Sequence, residues 1–307
     1  MPEVRRIALI GNALPRRCGI ATFTTHTQQA LAASKTHPET IIVAMDDRGG
    51  PYAYDETVGF TIAEDSVDDY IRAADWINAG RFDAVSLQHE YGIFGGEAGV
   101  FVLELLSRLT VPVITTLHTV LAEPSPAQRR VMSAIVAQSS KLVVMAEKGR
   151  AMLIKAHDVA SEKIEVIPHG IPDFAFVEPD AAKAKLALGD RPVLLTFGLL
   201  APNKGIETVI DAMPAILGTE PDALYVVLGA THPNLVRHEG EAYRDRLRER
   251  AAYLGVGDNV RFIDGFVEQE TLLDYISACD VYVTPYLNEA QMTSGTLSYS
   301  FGLGKPV

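Results

Sequence analysis

A lysine in the second half of the chain occupies the position that most directly suggests chemistry. Lys204 follows an apolar run at 193–197 and a short loop, and helical spacing begins at this residue. A cation at a helix N-terminus opposes the helix dipole, so a phosphate lying between the two would explain the position. The alternative is a solvated surface lysine.

A segment near the end of the chain collects groups that bind sugars and anions. Glu289 and Gln291 can each form paired hydrogen bonds with sugar hydroxyls. Thr293, Ser294 and Gly295 offer hydroxyls and backbone N–H groups at a predicted helix start, which is a second potential anion site. The alternative is an ordinary N-cap with polar neighbours.

Polar and aromatic residues follow two apolar runs in the first half of the chain. His89, Glu90 and Tyr91 come directly after one run, and His118 ends the next. Such groups bind sugar hydroxyls and sugar faces, and Glu90 can accept a proton from an acceptor hydroxyl. We therefore predict that His89, Glu90 and Tyr91 bind an acceptor molecule. The alternative is a purely structural role.

A glycine-containing loop follows the first apolar run. Gly19 would let an anionic ligand approach the backbone at the start of a helix, although an ordinary connecting loop is an equal alternative. The loop lacks the GxGxxG pattern, so nothing in it indicates a dinucleotide. The chain also shows no GxSxG elbow and no Cys/His arrangement that would indicate a protein nucleophile.

Short apolar runs alternate with amphipathic stretches along the whole chain, which predicts a doubly wound α/β fold with parallel sheets. A connector rich in proline and glycine at 168–173 separates two such series. The predicted strands are 7–10, 41–44, 84–88, 113–117, 141–145, 164–167, 193–197, 224–228, 260–263 and 281–284. The predicted helices are 20–31, 100–108, 126–138, 146–156, 204–217, 241–254, 268–278 and 294–303.

The composition limits the classes of function. The 307 residues carry a formal net charge of −12, which argues against a general nucleic-acid surface. The two cysteines lie far apart, as in a reduced cytoplasmic protein. We find neither a signal peptide nor an apolar run long enough to span a membrane. After the last predicted helix, residues 305–307 read as the start of another strand, so we expect the second domain to be truncated.

Taken in order, these segments resemble the retaining glycosyltransferases of family 4, which have the GT-B fold. The resemblance implies two Rossmann-like domains facing a cleft. Residues 1–172 would form the acceptor side and residues 173–307 the donor side. It also implies a nucleotide-sugar donor, a carbohydrate or glycolipid acceptor, and catalysis that needs neither a metal nor another cofactor.

The resemblance also suggests roles for individual residues. Gly19 corresponds to the glycine loop near the donor phosphates, and His118 to the histidine near the reacting sugar. Lys204 corresponds to the lysine that binds the diphosphate, and Gly265-Phe266-Val267 to the loop that contacts the donor base. His118, Lys204 and Glu289 are therefore the predicted catalytic residues.

Two positions depart from the family pattern. Leu199 replaces the diphosphate arginine. Gln291 and Tyr299 replace the family's pair of glutamates, the second of which holds the donor ribose, and Glu289 can partly replace the first. Two alternatives to glycosyl transfer therefore remain: a sugar- or nucleotide-binding module that has lost catalysis, and a GT-B-like sugar-nucleotide epimerase.

Overall fold

The computed structural model describes residues 4–47, 50–287 and 292–307. It divides into two units. The chain up to His169 forms the first unit, and the chain from Gly170 onward forms the second, apart from Met292 and Thr293, which group with the first.

The first unit is built on a parallel sheet. Among its described residues, seven strands lie in the order β3-β2-β1-β4-β5-β6-β7. They are β1 (Arg6–Gly11), β2 (Glu39–Asp46), β3 (Val58–Ala63), β4 (Ala84–His89), β5 (Val113–Leu117), β6 (Lys141–Val144) and β7 (Ile164–Val166). The helices are α1 (Gly19–Ala32), α2 (Val67–Ala79), α3 (Val102–Leu106), α4 (Pro126–Gln138) and α5 (Glu147–His157).

The second unit has a smaller parallel sheet. Its described residues form four strands in the order β10-β9-β8-β11. They are β8 (Val193–Phe197), β9 (Leu224–Leu228), β10 (Val260–Ile263) and β11 (Val281–Tyr282). The helices are α6 (Pro179–Lys185), α7 (Ile206–Thr219), α8 (Pro233–Glu239), α9 (Ala242–Tyr253), α10 (Gln269–Ala278) and α11 (Gly295–Gly302).

Strand β9 shows why these apolar runs form buried parallel sheets. All five of its residues are buried. Leu224, Val226 and Leu228 pack into the core on one face of the sheet, whereas Tyr225 and Val227 pack into the core on the other. A strand covered on both faces needs apolar residues at every position, which is the pattern that the sequence shows.

The strand order determines where ligand-binding loops lie. In open α/β sheets, ligands bind beyond the carboxyl ends of the strands, at the point where the strand order reverses. In the first unit this point lies between β1 and β4, and in the second it lies between β8 and β11. The loops that follow β4, β8 and β11 contain Glu90, Tyr91, Lys204, Thr293 and Ser294, and Gly19 and Gly295 open the helices that follow β1 and β11.

The two-sheet α/β architecture predicted from the sequence is confirmed, but several elements differ. β3, α2, α6 and α8 were not predicted, and the helix expected at 100–108 is limited to Val102–Leu106. The helix expected to begin at Lys204 begins at Ile206, because Lys204 ends a short 3-10 turn and Gly205 caps the helix. The last predicted strand ends at Tyr282, although the amide of Val283 still donates to the carbonyl of Leu195 at 2.8 Å. No helix within the described ranges is long and apolar enough to cross a bilayer.

Candidate functional site

The start of helix α11 lies at the switch point of the second unit. Ser294 is the N-cap residue, and its hydroxyl accepts a hydrogen bond from the amide of Leu297 at 3.3 Å. Gly295 opens the helix, as the sequence predicted, and Thr293 immediately precedes the cap. Backbone N–H groups at such a helix start attract anions.

Four hydroxyl groups meet at this helix start, and we call them the hydroxyl cluster: Tyr282, Tyr286, Ser294 and Thr296. The Thr296 hydroxyl is the centre, because it lies 2.6 Å from the Tyr282 hydroxyl, 2.9 Å from that of Tyr286 and 3.0 Å from that of Ser294. The Ser294 hydroxyl also donates to that of Tyr286 at 3.4 Å. The cluster therefore connects the loop after β11 to the first turn of α11.

Lys204 joins this arrangement from the loop after β8. Its ammonium nitrogen lies 4.0 Å from the centroid of the Tyr286 ring, a distance typical of a cation–π contact. Burial raises the pKa of the Tyr286 hydroxyl, but the Lys204 ammonium and the neighbouring hydroxyls outweigh burial and lower this pKa below its ordinary value. No carboxylate of the described residues forms an ion pair with Lys204.

The loops after β8 and β11 are in direct contact. The amide of Leu287 donates to the carbonyl of Asn203 at 3.0 Å. Gly205 has a φ of +65°, and a Cβ atom there would lie 2.1 Å from the carbonyl oxygen of Pro285. This position requires glycine for both reasons. The contact brings Lys204 close to the hydroxyl cluster.

The structure thus brings together Lys204, Ser294 and Gly295, three of the predicted donor-site residues. Glu289 and Gln291 lie outside the described residues, so their predicted roles stay predictions. The sequence analysis did not identify the aromatic and hydroxyl groups of Tyr282, Tyr286 and Thr296. The sequence signal that could have identified them is their position beside a predicted strand end and a predicted helix start.

The predicted base-binding loop, residues 265–267, begins two residues after the end of β10. Asp264, just before it, accepts hydrogen bonds from Arg244 at 2.5 Å and from Arg248 at 2.9 Å. Arg244 is almost completely buried and also donates to the carbonyl of Gly229 at 2.8 Å. The guanidinium therefore ties the loops after β9 and β10 together, while base binding itself stays a prediction.

His118 lies at the carboxyl end of β5 in the first unit. Its Nε2 atom is 3.1 Å from the Oε1 atom of Gln88, and its ring contacts Phe23 edge-on at 4.8 Å. The Phe23 ring also contacts His169 at 5.0 Å. Burial, with smaller contributions from His169 and His89, lowers the pKa of His118 to about 3. At neutral pH His118 is therefore an uncharged hydrogen-bonding group.

Glu90 lies at the carboxyl end of β4, beside the switch point of the first unit. Burial raises the pKa of its carboxyl group, against the opposing effect of three hydrogen bonds that it accepts. The Thr119 hydroxyl donates to one carboxylate oxygen, and the amide of Tyr91 donates to the other at 2.9 Å. A carboxyl group with a raised pKa is suited to proton transfer, but these bonds also fix the local turn.

His89 and Tyr91, predicted to contact an acceptor, are enclosed in the first unit. The His89 imidazole is completely buried, stacks on Phe94 at 6.0 Å between centroids, and meets the Tyr91 ring edge-on at 5.0 Å. Neither ring nitrogen of His89 has a hydrogen-bond partner among the described residues. In this conformation only Glu90 of the three predicted residues is more than marginally exposed. Acceptor contact by the three residues stays a prediction.

Gly19 begins α1 and is exposed, and a Cβ atom there would meet nothing within 4 Å. The loop before it is held in place by Arg16, whose guanidinium lies 3.1 Å from the Asp47 carboxylate and also donates to Asn12 at 3.0 Å. Gly19 is therefore accessible to a ligand at a helix start. Its predicted role near the donor phosphates stays a prediction.

Two cavities lie away from these loops. One of about 390 Å³ in the second unit is lined by residues including Arg248, Gly257 and Phe262, and one of about 250 Å³ in the first unit is lined by residues including Val100 and Arg130. Within the described ranges, no group of three or more His, Cys, Asp or Glu side chains converges as metal ligands would. The candidate site is therefore identified from the positions of its side chains.

Two models of known protein families match this chain. A family model described as Glycosyltransferase Family 4 matches residues 18–173, about half of the chain. The chain belongs to this family. A second model, described as Glycosyl transferases group 1, matches residues 178–291. The family inferred from the motifs is thus confirmed.

Two similar proteins show the level of sequence identity. The chain is 28% identical over 239 residues to D-inositol 3-phosphate glycosyltransferase of Acidothermus cellulolyticus, an alignment covering 72% of this chain and 50% of that protein. It is 26% identical over 305 residues to a GDP-mannose-dependent phosphatidylinositol monomannoside mannosyltransferase of Mycobacterium tuberculosis, covering 91% and 72%. The chain spans about half the length of the first of these relatives.

Solved structures confirm the GT-B fold class predicted from the sequence. Anabaena HepE, solved in complex with UDP and glucose, superimposes with a TM-score of 0.67 at 15% identity. That comparison covers 98% of this chain and 79% of HepE. At this level of identity the likeness establishes the fold alone.

The two buried histidines predict an acid-sensitive fold. Burial lowers the pKa of His89 to about 3, and the pKa of His118 is also about 3, whereas the pKa of an unfolded histidine is about 6.5. Below that value the unfolded chain binds protons that the folded chain does not. The free energy of unfolding should therefore fall between about pH 6.5 and 3, by up to about 1.4 kcal/mol per pH unit for each histidine.

Urea unfolding at several pH values measures this dependence. His89→Phe removes one of the two titrating groups from an aromatic environment, so its stability should depend less steeply on pH than that of the wild type. If the free energy of unfolding changes equally with pH in the two proteins, His89 is not the source of the acid sensitivity.

Proposed function

We propose that this chain carries out retaining glycosyl transfer from a nucleotide-diphosphate sugar to a carbohydrate or lipid-linked acceptor without a metal ion. The observation that carries the proposal is the Lys204 ammonium beside the start of α11, at the switch point of the second sheet. A cation and free backbone N–H groups in one place suit a phosphate. Two similar proteins support a nucleotide-sugar donor, because the mycobacterial mannosyltransferase depends on GDP-mannose and HepE binds UDP and glucose.

The chemistry follows from the charges that must be stabilised. As the bond between the sugar and the phosphate breaks, negative charge develops on the departing phosphate. Lys204 and the N–H groups at Gly295 would stabilise that charge, and this lowers the barrier. The departing phosphate itself would take the proton from the attacking acceptor hydroxyl, on the same face of the sugar. This scheme needs no protein nucleophile.

In the first unit, His118 and Glu90 would supply complementary groups. His118 is uncharged at neutral pH, so it would orient sugar hydroxyls by hydrogen bonding without attracting an anion. Glu90 would contact the acceptor, as the sequence predicted. Gly19, at the start of α1, would allow the donor phosphates to approach the backbone.

One observation favours a second candidate, a binding module that has lost catalysis. Tyr299, which stands where the family has its ribose-binding glutamate, is only 8% exposed and packs against Phe174 at 6.3 Å between ring centroids. Its side chain belongs to the core of the second unit. A chain that lacks this ribose contact could still bind sugar nucleotides without catalysing their reaction.

Product analysis separates these functions. The chain would be incubated with UDP-glucose or GDP-mannose, in the presence of EDTA, with and without inositol phosphate or mannosides as acceptors. A transferase should release nucleotide and form a glycoside whose anomeric configuration, read by NMR, matches that of the donor. A binding module would shift the melting temperature without releasing nucleotide, and an epimerase would convert the donor without an acceptor. Activity that disappears in EDTA would contradict metal independence.

A further inference from the structure

The ammonium of Lys204 contacts an aromatic ring. Its ammonium lies 4.0 Å from the centroid of the Tyr286 ring, and no carboxylate of the residues described forms an ion pair with it. An ammonium on a four-carbon stem loses much conformational freedom when it is fixed in one place. An aromatic face attracts a cation without neutralising its charge.

The ring that attracts this lysine is itself held in place. Its hydroxyl lies 2.9 Å from that of Thr296 and accepts from that of Ser294 at 3.4 Å. Next to it, Pro285 meets Gly205 so closely that no larger residue fits there. The Tyr286 ring is thus fixed against both the start of α11 and the loop that carries Lys204.

We propose that Tyr286 is a positioning residue for Lys204, which it holds beside the start of α11 so that the ammonium is already placed when a phosphate binds. The inference rests on the proposed function, in which Lys204 binds a donor phosphate. It adds a residue that acts through Lys204, and it assigns distinct tasks to the two parts of the side chain. The ring attracts the ammonium, and the hydroxyl fixes the ring.

The advantage of this arrangement is preorganisation. A lysine that is ordered before the ligand arrives does not incur its ordering cost during binding, so the affinity for the anion is higher. An acidic partner would also order the lysine, but it would neutralise the charge that the phosphate needs. An aromatic partner orders the lysine and leaves its charge available.

A double-mutant cycle tests the proposal. Tyr286→Leu removes the ring, Lys204→Met removes the charge, and the double variant combines them. Binding of inorganic pyrophosphate, GDP and UDP would be measured by calorimetry. Tyr286→Leu should weaken binding about three- to tenfold, and it should add no further loss once Lys204 is methionine. Tyr286→Phe keeps the ring and should lose less affinity than Tyr286→Leu.

Controls separate positioning from a general loss of structure. Tyr253 is 90% exposed, so Tyr253→Leu should leave binding unchanged. The proposal is overturned if Tyr286→Leu binds as tightly as the wild type, or if its loss is equally large in the Lys204→Met background. If the wild type binds none of the three probes, the proposed function fails and this inference fails with it. If the wild type binds a probe but the losses of affinity in the two single variants add up in the double variant, this inference alone is contradicted.

A measurement on the wild-type protein keeps the proposal testable if Tyr286→Leu does not fold. A methylene group over an aromatic face resonates at an unusually low proton chemical shift. The Lys204 side-chain signals, identified by their absence from the spectrum of Lys204→Met, should show this shift in the ligand-free wild type. Signals at the positions of a free lysine would show that the ammonium does not rest on the ring.

Discussion

Lys204→Ala should weaken donor binding about ten- to a hundredfold while leaving the fold intact. A hydrogen bond to a charged group contributes about 1.5–3 kcal/mol, and about 1.4 kcal/mol corresponds to a factor of ten in affinity. The resemblance places Leu199 where the family has a second cation, so Lys204 should carry more of the phosphate charge than usual. Calorimetric titration of GDP and UDP measures the loss.

Two further variants make this prediction specific. Lys155 is an exposed lysine in α5, and Lys155→Ala changes the net charge equally but should not affect nucleotide binding. Leu199→Arg should raise the affinity for a diphosphate by restoring a second cation. Equal affinity of the wild type and Lys204→Ala would mean that Lys204 is a solvated surface residue and that the phosphate site must be abandoned.

Gly205→Ala should destabilise the second unit by about 2–4 kcal/mol and weaken phosphate binding as well. The new Cβ would lie 2.1 Å from the carbonyl oxygen of Pro285, and the φ of +65° disfavours any side chain. Relief of the clash must separate the loops after β8 and β11, which moves Lys204 away from Tyr286. Thermal unfolding should show a midpoint lowered by roughly 5–15 °C.

Gly218→Ala provides the matched control. Gly218 lies in α7, the same helix that Gly205 precedes, and a Cβ atom there would meet nothing within 4 Å. Because alanine favours a helix over glycine by up to about 1 kcal/mol, this variant should be neutral or more stable. A Gly205→Ala protein as stable as Gly218→Ala would show that the two loops can separate without cost.

The sequence predicted the buried strands well because their apolar character is local information. β9 is apolar at every position, and β5, β8, β9 and β10 begin and end where the sequence placed them. β3 was missed because its residues are mostly half-buried or exposed, so it lacks a continuous apolar run. α2 was missed because its polar residues, including Asp68, Asp69 and Arg72, obscure the apolar stripe formed by its buried positions.

The candidate site was harder to predict because it depends on contacts between distant segments. The local sequence indicated Lys204 as a cation at a predicted helix start and Ser294 as part of a predicted N-cap. The contact between Lys204 and Tyr286 exists only because β8 and β11 are neighbours in the sheet. The burial of His89 likewise depends on packing against Phe94, which its polar neighbours in sequence do not reveal.

The hydroxyl cluster also has a consequence for which atoms can donate to an anion. Each hydroxyl carries a single proton, so four hydroxyls have four protons to donate. The four contacts among Tyr282, Tyr286, Ser294 and Thr296 can use all of them. The cluster then has no proton left to donate. Among the described residues the ammonium of Lys204 has no hydrogen-bond acceptor and keeps its three N–H groups, and the first turn of α11 has backbone N–H groups to offer. An anion arriving here would be bound by nitrogen donors, and the hydroxyls would serve as the rigid frame around them.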